Sequence, residues 1–214
     1  MNRFSSVSRS FRIVGTSPLL GSQPVDREVR LKYLGSKSAM AFEENADMPF
    51  SGDKGTTVFL RDKECGGALY IGGHVMKGMF KEALSILQSQ TSDGISIELK
   101  QPAAKVDNYV FIQPRKLWIQ RSNDVFVVQP DRTFNRPVRI ASLQGDRTAL
   151  LLSELVELPW QFDARIELVT NKGSRVSGPL SWENLLMALE FGSLKGFGQF
   201  RNGGYGTYTY TEIE

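Results

Sequence analysis

Apolar residues along this 214-residue chain recur at two spacings, and the spacings separate helices from strands. The clearest helical pattern follows Gly72 and Gly73. Met76, Met79, Phe80, Ala83 and Leu87 repeat every three or four positions and predict one buried face on a helix over about His74 to Gln90. A second helix is predicted after Ser181, a residue type that caps helix starts. It runs through Trp182, Leu185, Leu186 and Leu189 to a stop at Gly192, with Glu183 in the first turn where negative charge is favourable. Short extended runs predict strands at Ser5–Gly15, Thr56–Leu60, Ala68–Ile71, Tyr109–Ile112, Leu117–Ile119, Val125–Val128, Val138–Ile140, Ala149–Leu152, Ala164–Val169 and Thr207–Ile213. From Ser22 to Gly55 no period is sustained, and Pro24, Pro49 and Gly52 punctuate a stretch of mixed charge that reads as an insertion. This order predicts one α+β domain over residues 1–214. Its plan is a ferredoxin-like (RRM-like) βαββαβ core with extra strands and large inserted loops at about 22–55 and 114–160.

Between the second helix and the last strand lies the densest glycine run. Gly196-Phe197-Gly198 and Gly204-Tyr205-Gly206 flank a spacer containing Arg201 and Gly203, and the segment carries Lys195 and Arg201 but no acid. Glycine is costly to order, so a run this dense implies tight turns or a close approach to the backbone. A polyanion fits such a loop: exposed N–H groups and two cations meet its phosphates, and Phe197, Phe200 or Tyr205 offers a stacking surface. The architectural alternative is a turn feeding an edge strand, with those aromatics in the core. Lys77 and Lys81, four apart on the first turns of the predicted first helix, add a second place for an anion.

Charge strengthens this picture where it is clustered. The net charge of +3 and pI near 9.0 are a weak lean towards an anionic partner. Between Arg115 and Arg147, however, Arg121, Arg132, Arg136 and Arg139 join Lys116 against Asp124, Asp131 and Asp146, with Trp118, Phe126 and Phe134 interleaved. Arginine suits bidentate phosphate contact and stacking better than lysine does. Alternation along strands that point arginine at solvent gives the same pattern.

Several chemistries are excluded or narrowed. Cys65 is the sole cysteine, so no intramolecular disulfide forms, which fits a cytoplasmic setting. One cysteine and one histidine exclude a Cys/His zinc site within one chain, and no cofactor motif such as a phosphate-binding Gly-rich turn before a helix appears. No apolar run reaches membrane-spanning length, and Met1–Arg12 lacks a signal peptide's apolar core. Any histidine-based acid–base chemistry rests on His74, with a Cys65/His74 dyad as the other nucleophilic arrangement.

Three motifs, in this order, resemble the RAMP superfamily, the RNA-binding subunits of CRISPR effector complexes. Residues 69–83, beginning Leu69-Tyr70-Ile71-Gly72-Gly73-His74 and passing through Lys77-Gly78, resemble the run that leads into that family's first helix. Gly72 stands where proline is usual and Lys81 where arginine is usual. Arg136-Pro137-Val138-Arg139, followed by Glu154 to Pro159, Phe162 and Ile166, resembles the run before the central strands of the backbone-forming subunits, without the glycine expected before Phe162. Residues 196–206 fit the C-terminal Gly-rich loop. The resemblance implies a single-stranded RNA or DNA ligand, self-association or assembly with related subunits, and a role in defence against phage or in a mobile element. It implies no cleavage aspartate here. The binding residues expected are Lys77, Lys81, Arg132, Arg136, Arg139, Lys195, Gly196, Gly198, Arg201, Gly203, Gly204, Tyr205 and Gly206. Two alternatives stay open: a metal-independent guide-RNA-processing endoribonuclease using His74, and an assembly protein without nucleic acid that pairs through its Tyr208/Tyr210 strand.

Overall fold

The structure, a computed structural model, describes residues 4–24, 56–89, 99–140, 147–171 and 180–214. Along the chain come β1 (Phe4–Gly15), β2 (Leu19–Leu20), β3 (Gln23–Pro24), β4 (Thr56–Val58), β5 (Leu60–Asp62), β6 (Ala68–Gly72), α1 (Gly73–Ser89) and α2 (Pro102–Tyr109). They are followed by β7 (Val110–Gln113), β8 (Lys116–Trp118), β9 (Arg132–Ile140), β10 (Arg147–Val156), β11 (Gln161–Asn171), α3 (Trp182–Lys195), a 3-10 turn at Arg201–Gly203 and β12 (Tyr208–Ile213). The result is a mixed α/β protein with few helices and several sheets. A four-stranded core sheet has the order β12-β1-β11-β7, and all its pairings are antiparallel.

Alternation gives that sheet one buried face. Phe11 and Ile13 of β1 stand opposite Ala164 and Phe162 of β11, and Ile166 and Leu168 stand opposite Ile112 and Val110 of β7; all are buried. The residues between them, Ser6, Ser8, Ser10, Arg12, Asp163 and Arg165, face the other way and are polar. The apolar face shares its core with α1 and α3. On α1 the buried stripe is Met76, Met79, Phe80, Ala83 and Leu84, with Leu87 half-buried at its margin. On α3 the cap at Ser181 is a closed box: its Oγ accepts from Asn184 N at 3.2 Å, while its own N donates to Asn184 Oδ1 at 3.1 Å.

Three expectations change. The second helix does not stop at Gly192 but runs to Lys195; Gly192 is a packing notch where α3 meets α1, because a Cβ there would run into the Met79 sulfur and the Tyr208 hydroxyl. Val125–Val128 is not a strand. A turn at Asp124, with φ of 60°, leaves one bridge, Gln120 to Phe126, and a loop whose Val127 carbonyl accepts from Leu69 N at 2.7 Å. Residues 102–109 form α2, so the strand expected from Tyr109 starts at Val110. Of the expected 22–55 insertion, residues 25–55 lie outside the described residues; Gln23–Pro24 pairs with β4.

Residues 114–160 carry the parts that position the site. Val138–Ile140 and Ala149–Leu152 belong to longer strands, β9 and β10, paired from Arg147 opposite Ile140 to Leu155 opposite Arg132. The base of this hairpin joins β2 and β4, held by Glu154, which accepts from Phe59 N at 2.9 Å and from Arg61 at 2.6 Å. Residues 16–20 then run between the hairpin base and the Gly-rich loop: Thr16 N donates to Thr207 O and Gly206 N donates to Pro18 O, both at 2.8 Å.

Candidate nucleic-acid interface

The Gly-rich loop divides into glycines that build it and glycines that face outward. Gly196, Gly198 and Gly206 have φ of 83°, 74° and 72°. A Cβ at Gly196 would strike the Tyr205 carbonyl, at Gly198 the Leu20 carbonyl and at Gly206 the Phe197 carbonyl. Phe197 N also donates to Gly206 O at 2.9 Å, so the two Gly-aromatic-Gly units are folded on each other. These three glycines serve architecture. Gly204, with φ of 81°, has open space where a Cβ would go, and at Gly203 the obstacle is the Phe200 ring. The aromatics divide in the same way. Phe197 is in the core, 4.6 Å between centroids from Tyr208, so it offers no stacking surface to a ligand. Phe200 is 39% exposed, and Tyr205 is half-buried.

Four of the expected cations fall into two pairs on different flanks of α1. Lys195 Nζ and Arg201 NH1 each lie 2.7 Å from a Glu82 oxygen. Burial works against the Glu82 carboxylate, but the hydrogen bonds from Lys195 and Arg201 outweigh it and hold the carboxyl below its ordinary range. On the other flank Lys81 Nζ bonds Asp107 of α2 at 2.8 Å, and Lys77 reaches the Asp107 carbonyl at 3.3 Å and lies over the Phe111 ring. Burial lowers the Lys77 pKa, outweighing the upward pull of the Asp107 carboxylate, and neighbouring Lys81 adds a smaller downward push. Lys77 and Lys81 therefore belong to the α2 side, away from Lys195 and Arg201.

Of the hairpin arginines, Arg132 pairs with Glu157 at 2.7 Å, while Arg139 stands opposite Thr148 in β9 with its side chain outside the described residues. Arg136 is different. Its NH2 donates to Gln199 Oε1 at 3.0 Å, its guanidinium carbon lies 4.3 Å over the Phe200 ring, and among the described residues it pairs with no carboxylate. Phe134, two positions away on the same side of β9, lies 5.1 Å from Tyr205 and 6.4 Å from Phe200 between ring centroids. The hairpin and the Gly-rich loop thus meet in one aromatic, cation-bearing patch of Phe134, Arg136, Gln199, Phe200 and Tyr205. Of these, Phe200 and Tyr205 were expected as stacking surfaces and Arg136 as a cation, Phe134 stood out only as an aromatic interleaved with the arginines, and Gln199 carried no signal in the sequence.

His74 is the second residue of α1 and half-buried. Cys65 sits in the turn after β5, where burial and neighbouring Asp62 raise its thiol pKa, the opposite of what an activated nucleophile needs. Asp62 is itself buried, accepting from Lys116 Nζ at 3.0 Å and Trp118 Nε1 at 2.9 Å, an arrangement that ties β5 to β8. Among the described residues no group of three or more His, Cys, Asp or Glu could hold a metal, and no helix is long and apolar enough to cross a membrane.

Fold and patch together define a mixed α/β protein with a hairpin laid against a Gly-rich loop. No protein-family model matches the sequence, and no curated protein matches it. Among solved structures the chain is similar to one in the cryo-EM structure of the type III-B Cmr-beta complex bound to cognate target RNA. The identity is 11% and the TM-score 0.44, over 99% of this chain and 61% of the other. The chain therefore spans less than two thirds of that protein's length. It is also similar to Cmr6 from Pyrococcus furiosus, at 10% identity and TM-score 0.40, over 100% of both chains.

Proposed function

We propose that this chain is a single-stranded nucleic-acid-binding protein with RNA as its ligand, built on a ferredoxin-like core and acting as a RAMP-type subunit beside copies of itself or related chains. The antiparallel order β12-β1-β11-β7, with α1 between β1 and β7 and α3 between β11 and β12, supports the core assignment. The observation that carries the binding reading is Arg136. It is a cation on a hairpin strand, held by a neutral amide and an aromatic face rather than by a carboxylate, and it is set against a glycine loop that bears two more cations. Such an arginine keeps its full charge for a phosphate. Lys195 and Arg201 share one carboxylate between them, so that corner also keeps a net positive charge. The strand is held through its backbone, and no bond-breaking step is assigned to any residue.

Filter-binding titrations of labelled single-stranded RNA and DNA of one length, on wild type and Arg136→Ala, test this reading. Wild type binds RNA more tightly than DNA, with affinity falling as salt rises. Arg136→Ala weakens binding and lowers the salt slope by about 0.7, the value of one phosphate contact on a single strand. Indifference of wild type to both strands at low salt sinks the reading.

A further inference from the structure

We propose that Phe200, backed by Arg136, Phe134 and Tyr205, is a stacking seat for one unpaired base of the bound strand; this rests on the nucleic-acid reading and adds a base contact to its phosphate contacts. Phe200 has φ of 53°, a left-handed backbone that a bulky residue rarely holds, in a loop where Gly198, Gly203 and Gly204 show that glycine is readily used. Strain of this kind persists where a function uses it. The ring does not serve the core, since Phe197 fills that role at 1% exposure while Phe200 remains 39% exposed.

Arg136 is placed for stacking before hydrogen bonding. Its guanidinium lies over the Phe200 ring and is held by Gln199, while its Nε is enclosed with no acceptor among the described residues. An enclosed donor without a partner is costly, and here that cost accompanies a guanidinium oriented over an aromatic ring. Phe134 at 26° to Phe200 and Tyr205 at 30° keep the ring planes near one another. A base laid on the exposed surface of Phe200 continues this stack, and the contact tolerates any base because every base has a π-face.

The test compares a uridine oligonucleotide with an abasic strand of equal length and phosphate count, on wild type, Phe200→Tyr and Phe200→Asn. Asparagine tolerates the left-handed backbone but has no ring. Wild type and Phe200→Tyr bind the base-bearing strand about tenfold more tightly than the abasic one. Phe200→Asn binds both alike, still in a salt-dependent way. Equal binding of both strands by wild type overturns the seat and leaves the phosphate reading standing, and this comparison needs no variant to fold. Retention of the base preference by Phe200→Asn also overturns the seat. Failure of wild type to bind either strand overturns the parent reading and the seat with it.

Discussion

Replacing Glu82 with Gln separates stability from binding, because the two should move in opposite directions. The carboxylate is the shared partner of Lys195 and Arg201, each at 2.7 Å, and all three side chains are about one third exposed. Ion pairs this open contribute about 0.2–1 kcal/mol each, so losing both costs about 1 kcal/mol, a fall in Tm of about 2–4 °C for a chain of this size. Glu82 titrates below the ordinary carboxylate range, because the hydrogen bonds from Lys195 and Arg201 outweigh the upward push of burial. Its contribution is therefore present above the unfolded value of about 4.3 and lost as pH falls through the lower folded value. Glu82→Gln should flatten that part of the acid limb. On the binding side, two cations lose their internal competitor, and the salt slope for single-stranded RNA should steepen by up to about 1.4. Thermal melts across pH and a salt series of filter-binding titrations give both quantities on one preparation. A lowered Tm with an unchanged salt slope would refute the idea that Lys195 and Arg201 face the ligand.

Other substitutions test the loop and its supports. Gly206→Ala places a Cβ into the Phe197 backbone at a left-handed φ and should cost about 3 kcal/mol or more, whereas Gly204→Ala, equally left-handed but in open space, should cost about 1 kcal/mol; equal melting temperatures for the two would refute this division of the glycines. Asp62→Asn removes the buried charge between Lys116 and Trp118 and should cost about 2 kcal/mol at neutral pH by denaturant unfolding. Burial pushes the Asp62 carboxyl up, but its hydrogen bonds from Lys116 and Trp118 hold it below the ordinary range, so the difference from wild type should shrink as pH falls through that lowered value. A difference that persists at the lowest pH would show that shape, not charge, accounts for it.

Elements set by their own period were legible in the sequence. Met76 to Ala83 and Leu185 to Leu189 mark α1 and α3 because a buried helical face imposes its repeat on the residues themselves. The short α2 was not legible, since Pro102, Lys105 and Val106 are its only buried positions and they carry no sustained period. Gly192 was misread because a helix stop and a helix-packing notch ask for the same residue, and only the approach of Met79 distinguishes them. The candidate patch was half legible. Glycine density and unopposed cations mark residues 195–206, yet the pairing of Lys195 and Arg201 with Glu82, more than a hundred residues earlier, is a tertiary contact that no spacing encodes. Lys77 and Lys81 were expected as a second place for an anion on the first turns of the helix, and the helix turns about 100° from Lys81 to Glu82, which puts them on a different flank from Lys195 and Arg201. The seating of Arg136 on Phe200 joins residues 64 positions apart and depends on how the β9–β10 hairpin lies against the loop.

Photo-crosslinking of 4-thiouridine-containing single-stranded RNA to the wild-type protein, with the crosslinked peptides identified by mass spectrometry, tests the central claim most directly. Crosslinks should concentrate on Phe134, Phe200 and Tyr205, with peptides spanning Arg132–Arg136 and Lys195–Gly206 recovered together. Crosslinks confined to the polar face of the core sheet, at Ser8, Arg165 or Thr209, with none on the hairpin or the Gly-rich loop, would contradict it.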